Sequence, residues 1–314
     1  MILLEYIQIC NLSKMSQIIV NDSNQIYSVE QTANNKYNNV LSYKYSHCKS
    51  EITLRVDKTI NPNIANTDVY YIFDCPGEDA LVHWIIECFM FYPLFLEIKK
   101  IYPNIRILTT NNKKYVKNMF MFFGIDNEIV NTIQNMPNIC FFSPIISLND
   151  LQPTKINYFN KYLINYIHDI KSRISGYNIN SINVLCLPRN TKDNYAPNDH
   201  TVPGIDDIEN NIINIGGVVL NTYQINNINL QYTIVNNSKN IIVEYGSSLY
   251  FNCLFVSDKN IIVLNNYGLS HHHDNFIGMK VMYDLICSQN KVNLISPKNS
   301  DHKITYSDIK DFIV

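Results

Sequence analysis

The sequence predicts an α/β fold of two βαβ lobes with a cleft between them, and three observations predict it. Hydrophobic residues make up 46% of the 314 residues and charged residues 17%, which supplies a sizeable core and rules out wholesale disorder. From Asp68 onward, short β-branched runs alternate with stretches of helical period, the pattern of parallel strands joined by crossover helices. The alternation pauses at one long amphipathic stretch, Asn157–Ile174, and then starts again. A chain of 36.5 kDa fits one large domain or two ordinary ones of about 100–200 residues each.

Residues 1–66 mix short apolar runs, Gln17–Val20, Gln25–Val29 and Glu51–Val56, with polar Asn, Ser and Lys segments, and read as short strands and turns. Val69–Phe73 is a compact strand ended by Asp74-Cys75-Pro76-Gly77. Asp79–Lys100 reads as a helix, acidic at its start and closed by Lys99-Lys100, as the helix dipole favours. Strand Ile105–Leu108, helix Lys113–Phe123 closed by Gly124, and strand Ile139–Phe142 complete the first alternation. The helix Asn157–Ile174 bridges to the second. There, strand Ile182–Leu187 leads through Pro188–Gly204 to helix Ile205–Ile213. Strand Val218–Leu220, helix Leu230–Asn236, strand Ile241–Val243, helix Ser247–Val256 and strand Ile261–Leu264 follow, with helices over Phe276–Ser288 and Tyr306–Phe312. The expected organisation is a lobe over 1–175 with an irregular β-rich start over 1–66, a second lobe over 176–290, and a strand and helix over 291–314 that pack back on the body. Paired Rossmann-like lobes of this kind bind ligands in the crevice at the carboxyl ends of their strands.

Net charge of -2 and a pI near 6.4 leave no basic field for a nucleic-acid backbone, so nucleic acid is not an expected partner. The longest apolar run, Leu81–Ile98, is broken by His83, Glu87, Pro93 and Glu97, so no transmembrane segment is expected. The first residues lack a basic n-region and place Glu5 inside their apolar stretch, which argues against a secretory signal. The 8 Cys are scattered with no CxxC pair, several within apolar runs, and read as buried free thiols in a reducing, cytoplasmic setting.

Three local patterns can carry chemistry. In Asn240–Asn252 an apolar strand ends at Glu244-Tyr245, Gly246 permits a tight turn, and Ser247-Ser248 open a helix. Free amides at such a turn suit a phosphate. A plain strand–turn–helix with a serine cap gives the same pattern. In Leu185–Lys192 a strand delivers Arg189 and then Lys192 to the presumed cleft edge, where a guanidinium can clamp a diphosphate and stabilise it as it leaves. A solvated basic loop is the other reading. In Asp79–Glu87, His83 and Glu87 stand four apart on one helix face, so a carboxylate can orient an imidazole that acts as general base. A surface hydrogen bond without chemistry is equally compatible. Trp84 reads as packing.

His271-His272-His273-Asp274 suggests a metal at first sight, but consecutive side chains diverge, and a polar loop is the better reading. No Asp-x-Asp triplet occurs, and Asp126-Asn127-Glu128 is the nearest approach, so no metal site is expected.

Taken together and in order, the three patterns resemble glycosyltransferase family 61 over about Val69–Leu264. The matching features are His83-Trp84 with Glu87 and Pro93, the strand ending in Pro188-Arg189, and Tyr245-Gly246-Ser247-Ser248-Leu249 with Asn252 and Phe255 beyond. The resemblance implies a GT-B arrangement, with the first lobe on the acceptor side and the second holding a nucleotide sugar. It further implies inverting, metal-independent transfer from a nucleotide-diphosphate sugar of UDP type to a glycan or other hydroxyl acceptor, with no further cofactor. By position, Arg189, Lys192, Glu244, Tyr245, Gly246, Ser247, Ser248 and Asn252 would bind the donor. His83 and Glu87 would be catalytic, beside the acceptor. The family's His before Gly is Tyr245 here, which removes a cationic contact, and the Asn-Glu pair that often follows the Arg segment appears reversed as Glu209-Asn210. Two alternatives stay open: a polysaccharide pyruvyl transferase, and a catalytically silent nucleotide-sugar or glycan-binding protein.

Overall fold

The computed structural model describes residues 8–11, 18–19, 26–32, 37–44, 51–57, 69–73, 81–109, 113–126, 129–130, 139–142, 153–174, 177–188, 202–221, 225–265, 277–297 and 303–314. It is a mixed α/β structure with parallel sheets. The chain separates into two compact units, Met1–Ser147 and Leu148–Val314. Among the described residues no helix is long and apolar enough to cross a membrane.

The first unit carries two sheets. Strands β2 (Ile18–Ile19), β3 (Ile26–Thr32), β4 (Tyr37–Lys44) and β5 (Glu51–Asp57) form an antiparallel sheet in that order. Strand β4 is absent from the sequence reading, and a register shift between Tyr37 and Asn39 explains why: the irregularity breaks the period of two that marks a strand. The other sheet has the order β1-β9-β6-β7-β8. Its parallel members are β6 (Val69–Ile72), β7 (Arg106–Leu108), β8 (Ile129–Val130) and β9 (Ile139–Phe142), while β1 (Gln8–Asn11) is antiparallel to β9.

Helices α1 (Leu81–Glu87), α2 (Tyr92–Ile101) and α3 (Lys114–Phe123) belong to this unit. The single helix expected over Asp79–Lys100 is two helices, separated at Cys88 by a 3₁₀ turn, Phe89–Phe91. Pro93 accounts for the break, because it has no N–H to donate to the Phe89 carbonyl and so cannot continue one helix, whereas in a first turn that N–H would have no partner anyway. An aromatic cluster fills the core. Trp84 stacks on Phe89 at 4.9 Å and meets Phe120 edge-on at 5.7 Å, and the Trp84 Nε1–H donates to the Phe73 carbonyl at 2.9 Å. That bond locks α1 to the end of β6.

The second unit is built on a parallel sheet of order β11-β10-β12-β13-β14, whose strands are β10 (Ile182–Leu187), β11 (Val218–Val219), β12 (Ser238–Glu244), β13 (Asn260–Leu264) and β14 (Lys291–Ile295). Its helices are α4 (Pro153–Arg173), α5 (Ile205–Asn214), α6 (Ile228–Asn236), α7 (Ser247–Cys253), α8 (Ile277–Gln289) and α9 (Tyr306–Ile309). The division of the chain falls ahead of α4, so the long amphipathic helix belongs with this unit. Central strands covered on both sides read as continuous apolar runs. Val184, Cys186, Ile242, Ile262 and Leu264 pack with Ile205, Ile208 and Ile212 of α5, while Tyr232 of α6 meets Phe255 at 4.2 Å.

Two devices close this unit. The backbone at Gly204 passes so near Ile304 that an added Cβ would lie 2.2 Å from its carbonyl oxygen, and the Ile304 N–H donates to the Pro203 carbonyl at 2.9 Å. Asp207 in the first turn of α5 accepts from the Tyr306 N–H at 2.8 Å. The start of α5 is therefore covered by residues 303–306. At the opposite end of the sheet the buried amide of Asn240 accepts from Asn260 Nδ2 at 2.7 Å and from the Val314 N–H at 3.1 Å. It donates to the Val314 carbonyl at 2.8 Å and the Asn183 carbonyl at 2.9 Å. Asn260 in turn donates to Phe312 and accepts from Asn293, so an asparagine ladder ties residues 312–314 across the sheet. Stripping one member leaves several buried groups unpaired. Asn240→Ala is expected to lower unfolding stability by about 2–3 kcal/mol, against about 0.5 kcal/mol or less for exposed Asn226→Ala, both measured by urea denaturation.

Candidate functional site

In the second unit the strand order runs outward in both directions from the neighbours β10 and β12, which makes the gap beyond their carboxyl ends the topological switch point. The β10 strand ends at Leu187, in register with Val243, and Arg189 and Lys192 follow in sequence, outside the described residues. The β12 strand ends at Glu244 and passes through Tyr245 to Gly246. The expected phosphate turn and the strand leading to the expected guanidinium thus emerge side by side.

Gly246 has φ 119° and ψ -146°, a region that only glycine enters without strain. It is also the N-cap of α7, with no side-chain hydrogen bond capping the helix. The serine-capped turn that competed with the functional reading is therefore not what forms. Ser247 and Ser248 are partly exposed. Ser248 is joined to Asn252 of the next turn, whose Nδ2 donates to the Ser248 carbonyl at 2.7 Å.

Two of the expected donor contacts lie beneath this surface. Glu244 is 1% exposed, and its Oε2 accepts from the Val202 N–H at 2.9 Å, tying the residues just before α5 to the end of β12. Alternation along a strand puts Asn240, Ile242 and Glu244 on one face, and Ile242 packs on the α5 side. Burial and then the charges of Glu209 and Glu244 push the Cys186 thiol far above its ordinary range, which keeps it neutral. Asn252 is 0% exposed, and its Oδ1 accepts from Gln231 Nε2 at 2.6 Å. Both side chains support the rim from below, Glu244 through Val202 and Asn252 through α7.

Tyr245 lies at the rim, half-buried. Its hydroxyl accepts from Tyr250 at 3.0 Å, with the rings edge-on at 6.0 Å. Burial raises its pKa more than the Tyr250 hydrogen bond lowers it, so the phenol is neutral through the physiological range. The position carries an aromatic ring and a hydroxyl where a histidine could have carried charge.

In the first unit the parallel strands run β8-β7-β6-β9, so the order reverses between β6 and β9, and α1 is the helix that follows β6. His83 is on the first turn of α1, anchored by the Trp84 bond described above. The His83 Nδ1 lies 3.2 Å from Glu87 Oε2, with the side chains 26% and 9% exposed. Burial disfavours the imidazolium, but the Glu87 hydrogen bond and charge outweigh burial, and the His83 pKa stands above its ordinary value. With Nδ1–H engaged by the carboxylate, Nε2 is the basic nitrogen of the neutral ring. The expected base and its orienting carboxylate are joined.

His271, His272, His273 and Asp274 lie outside the described residues, as do Asn127 and Glu128 beside Asp126. Among the described residues no group of three or more His, Cys, Asp or Glu could hold a metal ion. Two rim residues escaped the motif reading: Asn265 and Ser296, which directly follow β13 and β14. Their only sequence signal is a polar residue at the end of a buried run.

Fold and rim together define an α/β protein whose parallel sheets both have a switch point. No protein-family model matches the chain, and no curated protein matches it.

Proposed function

We propose that this protein is an inverting glycosyltransferase similar to family 61, with its two units arranged as the lobes of a GT-B enzyme. It moves a sugar from a nucleotide-diphosphate donor to a hydroxyl of a glycan acceptor. The observation that carries the reading is the uncapped Gly246 turn at the carboxyl end of β12, beside the strand that leads to Arg189. Strand ends at a switch point are where open parallel sheets take ligands.

In this mechanism Gly246, Ser247 and Ser248 receive the donor diphosphate, and Arg189 and Lys192 supply positive charge. Tyr245 flanks the donor, and Glu244 and Asn252 hold the turn in place. His83 Nε2 removes the proton of the acceptor hydroxyl, with Glu87 stabilising the imidazolium that results. The acceptor oxygen attacks the anomeric carbon, the bond to the diphosphate breaks with its electron pair, and configuration inverts. Two cationic side chains and the backbone amides of the turn offset the charge on the departing diphosphate, so the step needs no divalent ion. The free thiols Cys88, Cys186, Cys253 and Cys287 support a reducing, cytoplasmic setting.

A second reading is binding without turnover, and the neutral Tyr245 at the family's histidine position favours it. Thermal unfolding with nucleoside diphosphates, in the presence of a chelator, tests the donor site. Ligand at about 100 times its Kd adds about 2.7 kcal/mol to the native state. A selective upward shift with one base is expected. No shift with any nucleoside diphosphate, or a shift with phosphoenolpyruvate alone, overturns the donor assignment, the latter in favour of pyruvyl transfer.

A further inference from the structure

The carboxyl rim of the second sheet holds a polar atom that the fold leaves unsatisfied. Asn265 is 6% exposed. Its backbone N–H donates to the Ile295 carbonyl at 2.9 Å, and its Nδ2 donates to Ser296 Oγ at 3.2 Å. Its Oδ1 is buried and has no hydrogen-bond partner among the described residues. Buried amide oxygens are almost always paired, so an orphaned one marks a place where something outside the chain supplies the donor.

Its position says what that donor belongs to. Glu244, Leu264 and Ile295 are in register at the ends of β12, β13 and β14. Tyr245, Asn265 and Ser296 are the next residue on each strand, and the Tyr245 N–H donates to the Leu264 carbonyl at 2.9 Å. Asn265 is thus the neighbour of the Tyr245–Gly246 turn on the side away from β10. Both phosphates of a nucleotide-diphosphate sugar are ionised diesters that offer only acceptor oxygens, so the Asn265 oxygen is not a contact to the donor diphosphate. An acceptor one strand along from a half-buried aromatic residue suits a planar ring bearing N–H groups, or the hydroxyls of its pentose.

We infer that Asn265 Oδ1 accepts a hydrogen bond from the nucleoside half of the donor, from a ribose hydroxyl or a base N–H. The inference rests on the nucleotide-sugar reading given above. It makes Asn265 a specificity residue, held in its rotamer by Ser296.

Calorimetric titration of the full chain tests it, with the uridine, cytidine, adenosine and guanosine diphosphates and with inorganic pyrophosphate as probes. Asn265→Leu and Asn265→Ala are expected to bind the preferred nucleoside diphosphate roughly tenfold more weakly than wild type, with pyrophosphate affinity unchanged. Ser296→Ala, which breaks the same internal bond and keeps Oδ1, is expected to stay within about threefold of wild type. A dideoxynucleoside diphosphate that binds wild type roughly tenfold more weakly identifies the ribose as the source, and equal binding identifies the base. Unchanged affinity in both Asn265 variants shows that a buried water satisfies the oxygen and overturns the inference. So does a loss matched by pyrophosphate. Failure of wild type to bind any nucleoside diphosphate instead overturns the nucleotide-sugar reading itself, and this inference with it.

Discussion

Arg189→Ala is expected to lower kcat by about 10²–10³-fold while leaving the unfolding midpoint close to that of wild type. The charge on a departing diphosphate grows as its bond to the sugar breaks, so a guanidinium beside it stabilises the transition state more than the bound donor. That difference is what raises kcat. In sequence the residue follows by two positions the end of β10, the strand that pairs with the one leading to the Gly246 turn. Arg189→Lys restores charge but not the fork of donors and is expected to recover only part of the rate. Initial rates of nucleotide release measure both, and a wild-type kcat in Arg189→Ala would refute the assignment.

His83→Ala is expected to lower turnover by about 10²–10⁴-fold with donor affinity nearly unchanged, and Glu87→Ala to lower it in the same direction. The pH dependence carries a sign. A general base works deprotonated, and the pKa of His83 is raised above 6.5, so turnover is expected to rise with pH through that raised value. Removing the carboxylate in Glu87→Gln leaves burial unopposed, and the acidic limb is expected to move to lower pH. Stability runs the other way. A group with a raised folded pKa adds stability that is fully present below the unfolded value near 6.5 and is lost as pH rises through the folded one. The stability difference between wild type and His83→Ala is therefore expected to shrink over the window in which activity grows. Parallel pH series of kcat and of unfolding midpoints measure the two trends, and a collapse of donor affinity in His83→Ala would place this pair at the donor instead.

How much of this was legible in the chain differs by element. The central strands of the second unit announce themselves, because a strand covered on both faces must be apolar throughout. Val184–Leu187 within Ile182–Leu187, Ile241–Val243 and Ile261–Leu264 are such runs. The break at Cys88 is masked in the sequence because buried aromatics continue across it. The antiparallel edge β1 and the irregular β4 lack a clean alternation to read. The same limit applies to the site. His83 and Glu87 were legible because a four-residue spacing brings side chains together in any helix. Their place in a motif marks Glu244 and Asn252 as ligand contacts. Strand parity turns the first toward the α5 side and helix packing encloses the second, and neither effect is visible without the neighbouring elements. Asn265 went unseen for the complementary reason, since it approaches Tyr245 only through strand order.

The central claim is that the rim beyond β10 and β12 activates a sugar–diphosphate bond with protein charge alone. Release of free nucleotide from UDP-sugars by the purified chain, with acceptor glycan and excess chelator present, tests it most directly. Undiminished release in chelator, lost in Arg189→Ala, is the predicted result. Release that requires an added divalent ion, or none from any nucleotide sugar under conditions where the diphosphate binds, contradicts it.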